Sequence, residues 1–295
     1  MQLIDGKRIS REIQDEIRAE VQRMQAAGLR PPHLAAVIVG ENPASQTYVR
    51  HKLEACAYAG FRSSRIQLDA QAAEADLLAE IRRLNEDPEL DGFIVQLPLP
   101  PHIDPQRVTE AILPAKDVDG FHPVNIGMMT LNFPAILPAT PLGIMELLRR
   151  SGIETRGRHC VVIGRSRIVG RPVSIMLSQG GEATVTLCHT RTPRELLLQQ
   201  CLQADILVVA AGQPGLLTAG MVKPGAVVID VGTNRVEAPG TKSGYRMAGD
   251  VAFDEVAPLC SYITPVPGGV GPMTVAMLLR NTLEACQRRN AAGQS

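Results

Sequence analysis

The sequence predicts an α/β fold in two domains, each built on a parallel sheet, and three observations predict it. A chain of 295 residues is long enough for two cores, at roughly 150 residues per domain. Short continuous apolar runs alternate with amphipathic segments in both halves, and that alternation is the signature of strands buried on both faces between helices. A glycine-bearing loop, GRSRIVGRP at 164–172, stands between one such run and the next amphipathic segment.

The elements follow in order. Residues 5–27 read as an amphipathic helix stopped by Gly28, and the run 34–39 after the Pro31-Pro32 break reads as a buried strand. Asn42 caps a helix that starts at Pro43 and leaves at Gly60. A strand at 64–69, a helix at 74–86 ended by Pro88, a strand at 92–97 and a helix opened by Asp104-Pro105 repeat the alternation. Residues 114–141, rich in proline and turns, read as an irregular link.

The pattern then restarts. Thr140 is expected to cap a helix at Pro141, followed by strand 159–163, the glycine-bearing loop, helix 171–179, strand 183–188, helix 193–203, and strands 205–211 and 226–231. A last helix, 272–288, begins at Pro272. The domains are expected at 1–140 and 141–270, with 271–295 returning to the first. Two such domains in series leave a cleft between them, and parallel sheets bind ligands beyond the carboxyl ends of their strands.

Composition narrows the function. With 30 basic and 30 acidic residues, no net field favours nucleic acid or an anionic membrane. No apolar run approaches the ~20 residues of a membrane span. The N-terminus shows no secretory signal, so the chain is expected to be soluble and cytoplasmic. Cysteines 56, 160, 188, 201, 260 and 286 form no CxxC pair and, apart from the adjacent Cys188 and His189, have no histidine at metal-ligand spacing; they read as buried free thiols, and no metal is expected.

Positive charge is written almost entirely as arginine; the lysines are Lys7, Lys52, Lys116, Lys223 and Lys242. Arginine keeps its proton, whereas a lysine near apolar walls can exchange one at working pH. Lys52, one helical turn beyond Tyr48, is the first candidate for an acid/base group, and a lysine snorkelling off a helix flank is the bland alternative. Gln96 in QLPLP and Asp117 and Asp119 in KDVDG are polar groups at strand ends or in the link that could meet it. Asp117 reads equally as a turn residue.

The loop at 164–172 offers backbone N–H groups and a helix start to an anion, although Gly164 and Gly170 do not form GxGxxG. The end of the next strand, Leu187-Cys188-His189-Thr190-Arg191, lacks the carboxylate that holds an NAD ribose. With Arg165, Thr190 and Arg191 at hand, a Rossmann-like domain preferring NADP is inferred; solvated loop arginines are the alternative. AAGQPG at 210–215 and DVGTN at 230–234 each put a glycine past a strand end, for close approach of a flat ligand or for packing.

YVRHK (48–52), VQLPLPPHI (95–103), KDVDGFHPVNIG (116–127), GRSRIVGRP, DVGTN and YITPVPGGVGPMTVAML (262–278) together resemble the family of bifunctional methylenetetrahydrofolate dehydrogenase/methenyltetrahydrofolate cyclohydrolase enzymes. The resemblance runs from Asp5 to the last helix. It implies a homodimer that oxidises 5,10-methylenetetrahydrofolate with NADP and hydrolyses the methenyl product to 10-formyltetrahydrofolate, with folate chemistry in the first domain and NADP on the second. By motif match, Lys52 is the catalytic lysine, Tyr48 stacks on the folate, Gln96 tunes the lysine and Asp119 holds the pterin. Pro267, Gly268 and Gly269 line the folate site, while Gly164, Arg165, Ser166, Thr190 and Thr233 fall at cofactor positions, beside which Arg191 is placed by its charge. The chain departs from the family's pattern at Ala139, Thr233 and Ala252, where Cys, Ile and Asp are frequent. Two other readings stay open: a dehydrogenase of the same fold without the hydrolysis, and a protein that binds NADP or folate without turnover.

Overall fold

The computed structural model describes residues 1–240 and 244–292. Lys242 and residues 293–295 of the expected C-terminal segment lie outside them. The chain divides into two compact units, one of Arg11–Ala139 with the segment from Val275, the other of Met1–Ser10 with Thr140–Thr274. The first ten residues thus belong with the second half, a correction to the expected boundary. Their backbone explains it: β1 (Gln2–Leu3) adds a parallel edge strand to the sheet of that half. Helix α1 (Gly6–Ala26) begins in that unit and continues into the other.

In the first unit, β2 (His33–Val39) is the central strand and is buried at every residue. Helix α2 (Pro43–Ala59) has the expected caps: Asn42 Oδ1 accepts the N–H groups of Ala44 and Ser45 at 2.9 and 3.2 Å, Pro43 is the first helical residue, and Gly60 closes it at φ +80°. Then come β3 (Arg62–Leu68), α3 (Glu74–Glu86), β4 (Gly92–Val95) and α4 (Pro105–Ala111). The sheet order is β3-β2-β4, all parallel, because each connection carries a helix. Leu77, Ile81 and Leu84 of α3 pack in one core with Ala35, Val37, Phe93 and Val95.

The expected irregular link contains a helix, α5 (Pro123–Thr130). His122 caps it through Nδ1, which accepts the Val124 N–H at 3.1 Å, and Pro123 opens it. Histidine is a weaker cap signal in sequence than Ser, Thr, Asp or Asn, which is why the segment reads as irregular. Helix α6 (Ala139–Arg150) starts before Thr140, so that threonine is no cap; its hydroxyl lies 2.9 Å from that of Thr274.

The second unit continues with β5 (His159–Ile163), α7 (Gly170–Ser178), β6 (Thr184–Cys188), α8 (Arg194–Gln203), β7 (Ile206–Val209) and β8 (Val227–Asp230). An antiparallel hairpin, β9 (Asn234–Glu237) with β10 (Tyr245–Ala248), follows, then α9 (Phe253–Val256), β11 (Tyr262–Ile263) and α10 (Val270–Ala292). The main sheet is parallel with order β1-β11-β8-β7-β5-β6. After the edge strand β1, the chain returns to this sheet at β5, steps outward to β6, then crosses to β7 on the other side. The strand order therefore reverses between β5 and β7, and in open α/β sheets the crevice for a ligand opens at that point, outside the carboxyl ends.

Candidate active site

Lys52 lies on the inward face of α2. Ser45, Val49, Lys52, Cys56 and Ala59 recur at three- and four-residue spacing and all are buried. Lys52 is only 7% exposed, and a buried ammonium needs a partner. That partner is Gln96, whose Oε1 accepts from Nζ at 3.2 Å. Gln96 sits just past β4, where its backbone N–H bonds Val37 O at 2.9 Å. Its Nε2 donates to Leu97 O at 2.7 Å, so the amide is turned with its oxygen toward the lysine. Among the described residues one of the three N–H donors of a lysine ammonium is used, which leaves two for a ligand or water. The snorkelling alternative is thereby excluded.

Tyr48, one turn before Lys52, is 48% exposed, which leaves its ring free to meet a flat ligand. The Ser45 hydroxyl, a turn earlier still, is buried and has no hydrogen-bond partner among the described residues. Sequence reasoning did not single it out; its signal was helical spacing to Tyr48 and Lys52.

The two aspartates of KDVDG part ways. Asp117 is buried and accepts from the N–H groups of Gly120 and His122 and from Asn125 Nδ2, at 3.2, 2.7 and 3.1 Å. Burial pushes its carboxyl above the ordinary range, with the His122 N–H and the Asn125 amide opposing. It is the turn residue. Asp119 is half-buried and lines a narrow recess with Val95, Leu97, Val108 and Phe121. Its carbonyl accepts the N–H of Ala139 at 3.2 Å.

The remaining residues singled out in sequence belong to the second unit. Gly164 closes β5 at φ +120°, and a Cβ there would lie 2.1 Å from Ala210 O, beyond the end of β7. The loops that flank the reversal of strand order therefore touch backbone to backbone. Ser166 Oγ accepts the N–H groups of Val169 and Gly170 at 3.1 and 3.2 Å, closing the loop that leads into α7 and keeping its own O–H to donate. Arg165, Thr190, Arg191 and Thr233 are exposed at the carboxyl ends of β5, β6 and β8. This set of cations, hydroxyls and close-packed backbone fits a dinucleotide with a phosphorylated ribose. Pro267 is exposed after β11, while Gly268 and Gly269 are buried. Among the described residues no group of three or more His, Cys, Asp or Glu could hold a metal, and no helix is long and apolar enough to cross a membrane.

Fold and site define an α/β protein with two units: one has a parallel sheet of the dinucleotide-binding kind, and in the other helix α2 carries a buried, amide-bonded lysine. Comparison with known proteins sharpens this. The catalytic-domain model of tetrahydrofolate dehydrogenase/cyclohydrolase matches residues 4–119, and the NAD(P)-binding domain model of the same enzymes matches 138–290. The chain belongs to the tetrahydrofolate dehydrogenase/cyclohydrolase family.

It is 57% identical to the bifunctional protein FolD of Cytophaga hutchinsonii, over 97% of this chain and 99% of that protein. Identity with the bifunctional protein FolD of Porphyromonas gingivalis is 58%, over 96% of each. Among solved structures, the bifunctional FolD of Campylobacter jejuni superposes with a TM-score of 0.92 at 46% identity, covering 98% of this chain and 99% of that one. The methylenetetrahydrofolate dehydrogenase-cyclohydrolase of Trypanosoma brucei, solved with NADP and an inhibitor, gives 0.92 at 45% identity, covering 97% of each.

Proposed function

We infer that this protein oxidises 5,10-methylenetetrahydrofolate with NADP and hydrolyses the resulting 5,10-methenyltetrahydrofolate to 10-formyltetrahydrofolate. Similarity along the whole chain to proteins named bifunctional, in both family domains, supports the pair of activities. The observation that carries the hydrolysis is the buried Lys52 held by a neutral amide.

NADP, when bound, supplies the acceptor for the hydride that leaves the methylene carbon. That carbon lies between two nitrogens that share the positive charge, so the chain's task in this step is orientation. Hydrolysis asks for more: water must add and lose a proton, and the C–N bond that opens needs a proton on nitrogen. We assign this proton traffic to Lys52, with Gln96 steering its ammonium. Tyr48 is assigned to stack on the folate, and Asp119 to accept two N–H groups of the pterin. Pro267, Gly268 and Gly269 are assigned to the folate; Gly164, Arg165, Ser166, Thr190, Arg191 and Thr233 are assigned to NADP. The unit with Lys52 is taken to carry the folate chemistry and the larger sheet the nucleotide.

We further take the enzyme to be a cytoplasmic homodimer serving one-carbon metabolism. Its six buried free thiols suit a reducing compartment. Light scattering tests the dimer.

Stopped-flow absorbance with methylenetetrahydrofolate and NADP, following NADPH and the methenyl species separately, tests the reaction. Wild type forms NADPH without accumulating methenyl, and Lys52→Met accumulates it. Methenyl build-up in wild type would reduce the reading to a dehydrogenase, and absence of NADPH would overturn it.

A further inference from the structure

Two buried carboxylates stand behind the strand ends of the larger sheet, and the roles assigned above use neither. Asp250 is fully buried and Asp230 is 2% exposed. Asp250 Oδ2 accepts the N–H groups of Ala211 and Gly212 at 2.7 and 2.8 Å, and Oδ1 accepts the side-chain amide of Asn234 at 2.8 Å. Ala211 and Gly212 lie on the loop that leaves β7, and Asn234 opens β9 at the end of the loop that leaves β8. Asp230 in turn accepts the N–H groups of Gly232, Asp250 and Val251 at 2.9, 2.9 and 3.0 Å. Asp230 therefore holds the backbone of Asp250, and Asp250 holds the loops.

The fit leaves no slack. A Cβ on Gly232 would come within 2.3 Å of Asp250 N and 2.5 Å of its Oδ1, and one on Gly249 within 1.8 Å of Asp230 Oδ2. Ala211, Gly212 and Thr233 are exposed on the far side of this network. Exposed loop backbone is ordinarily free to move, and here it is tied down from beneath by charge-assisted bonds. Burying two carboxylates so close together costs free energy that a loop of no consequence would not require.

We propose that Asp250 is a positioning residue for the dehydrogenase step, fixing the loops after β7 and β8 so that the backbone at 211–212 and Thr233 meets NADP already in place. It touches neither cofactor nor substrate. The inference rests on the dehydrogenase reading above, and its effect falls on one of the two activities. Hydrolysis of added methenyltetrahydrofolate, with no nucleotide present, does not draw on these loops.

The chemistry suggests a pair of variants. Asp250→Ala removes every acceptor. Asp250→Asn keeps one carbonyl oxygen for Ala211 and Gly212, and its new N–H can be accepted by Asn234 once that amide turns over. Steady-state kinetics of both half-reactions, with melting curves, then decide. Asp250→Ala raises KM for NADP about tenfold or more, the factor that ~1.4 kcal/mol gives. Its methenyl hydrolysis stays within about twofold of wild type, and Asp250→Asn recovers most of the loss, as a conserved bond geometry requires. If Asp250→Ala does not fold, Asn234→Ala, which removes a single contact to Oδ1, decides by the same split on a smaller scale. Equal loss of both activities in step with stability, or an unchanged KM for NADP in the folded variant, overturns the proposal. Wild type that fails to turn over NADP at all would sink the dehydrogenase reading instead.

Discussion

Lys52 Nζ donates to Gln96 Oε1 at 3.2 Å, a contact between the inward face of α2 and the residue just past β4. The acceptor is neutral, so it orients the ammonium without adding a charge that would hold the proton in place. Gln96→Glu puts a carboxylate at the same distance. The expected outcome is a fall of about tenfold or more in methenyl hydrolysis, with NADPH formation from methylenetetrahydrofolate much less affected. A full hydrolysis rate in this variant would show that the neutrality of the partner is irrelevant.

A second pairing holds the smaller sheet in place. Asp91, buried at 3% exposure, receives both terminal nitrogens of Arg30 at 2.7 and 2.8 Å, the His33 N–H at 2.8 Å and Arg289 at 3.1 Å. One carboxylate thus ties the start of β2 and the approach to β4 to α10. Removing it in Asp91→Ala strands two guanidinium groups and a buried N–H, which costs about 3–5 kcal/mol. Urea denaturation should find the midpoint lowered accordingly; a loss below ~1 kcal/mol would show that water replaces the anchor.

All six cysteines are free and buried. Burial pushes the thiols of Cys56, Cys160 and Cys201 up to about 12, and those of Cys260 and Cys286 up to about 11. Thiolate is the reactive form, so the native protein should resist a thiol-exchange reagent at pH 8 and release all six groups only when unfolded. Rapid labelling of a single thiol in the native state would mark a locally opened segment.

Burial raises the Asp230 carboxyl from 3.8 to about 6, with its three backbone donors opposing the shift. Between those values the folded protein keeps a proton that the unfolded chain has released. The contribution of Asp230 to stability is therefore fully present below about pH 4 and is lost as the pH rises through 6, by up to about 3 kcal/mol. Carbon-13 titration of the Asp230 carboxyl should give a midpoint near 6. A midpoint at the ordinary carboxylate value would mean that the three N–H groups outweigh desolvation.

Much of this architecture was legible in the residues themselves. The limits of α2 follow from Asn42, Pro43 and Gly60, because caps act within one turn of the chain. The apolar runs of β2, β5 and β7 marked strands buried on both faces, and the absence of a carboxylate after β6 pointed to a phosphorylated ribose. Lys52 stood out by residue type, and the motifs around it carried the family resemblance.

What escaped the sequence depended on distant partners. Helix α5 is held by a histidine cap and by Asn125 bonded to Asp117 and Pro114 O, none of which leaves a strong local signal. The two residues of β1 form a strand only because β11, at the far end of the chain, offers an edge to pair with. Lys52 could be named as a candidate from sequence, but whether it faced water or Gln96 depended on how α2 packs against the end of β4. The Asp230–Asp250 network likewise joins residues that are weakly suggestive one by one. The sequence by itself determined the helices, the strands and the residue types available for chemistry, since those depend on periodicity and on neighbours a few positions away. Only the tertiary structure decided which carboxylate makes a turn, which lines a recess and which ties down a loop, because burial and hydrogen-bond partners are set by chain segments that meet only on folding.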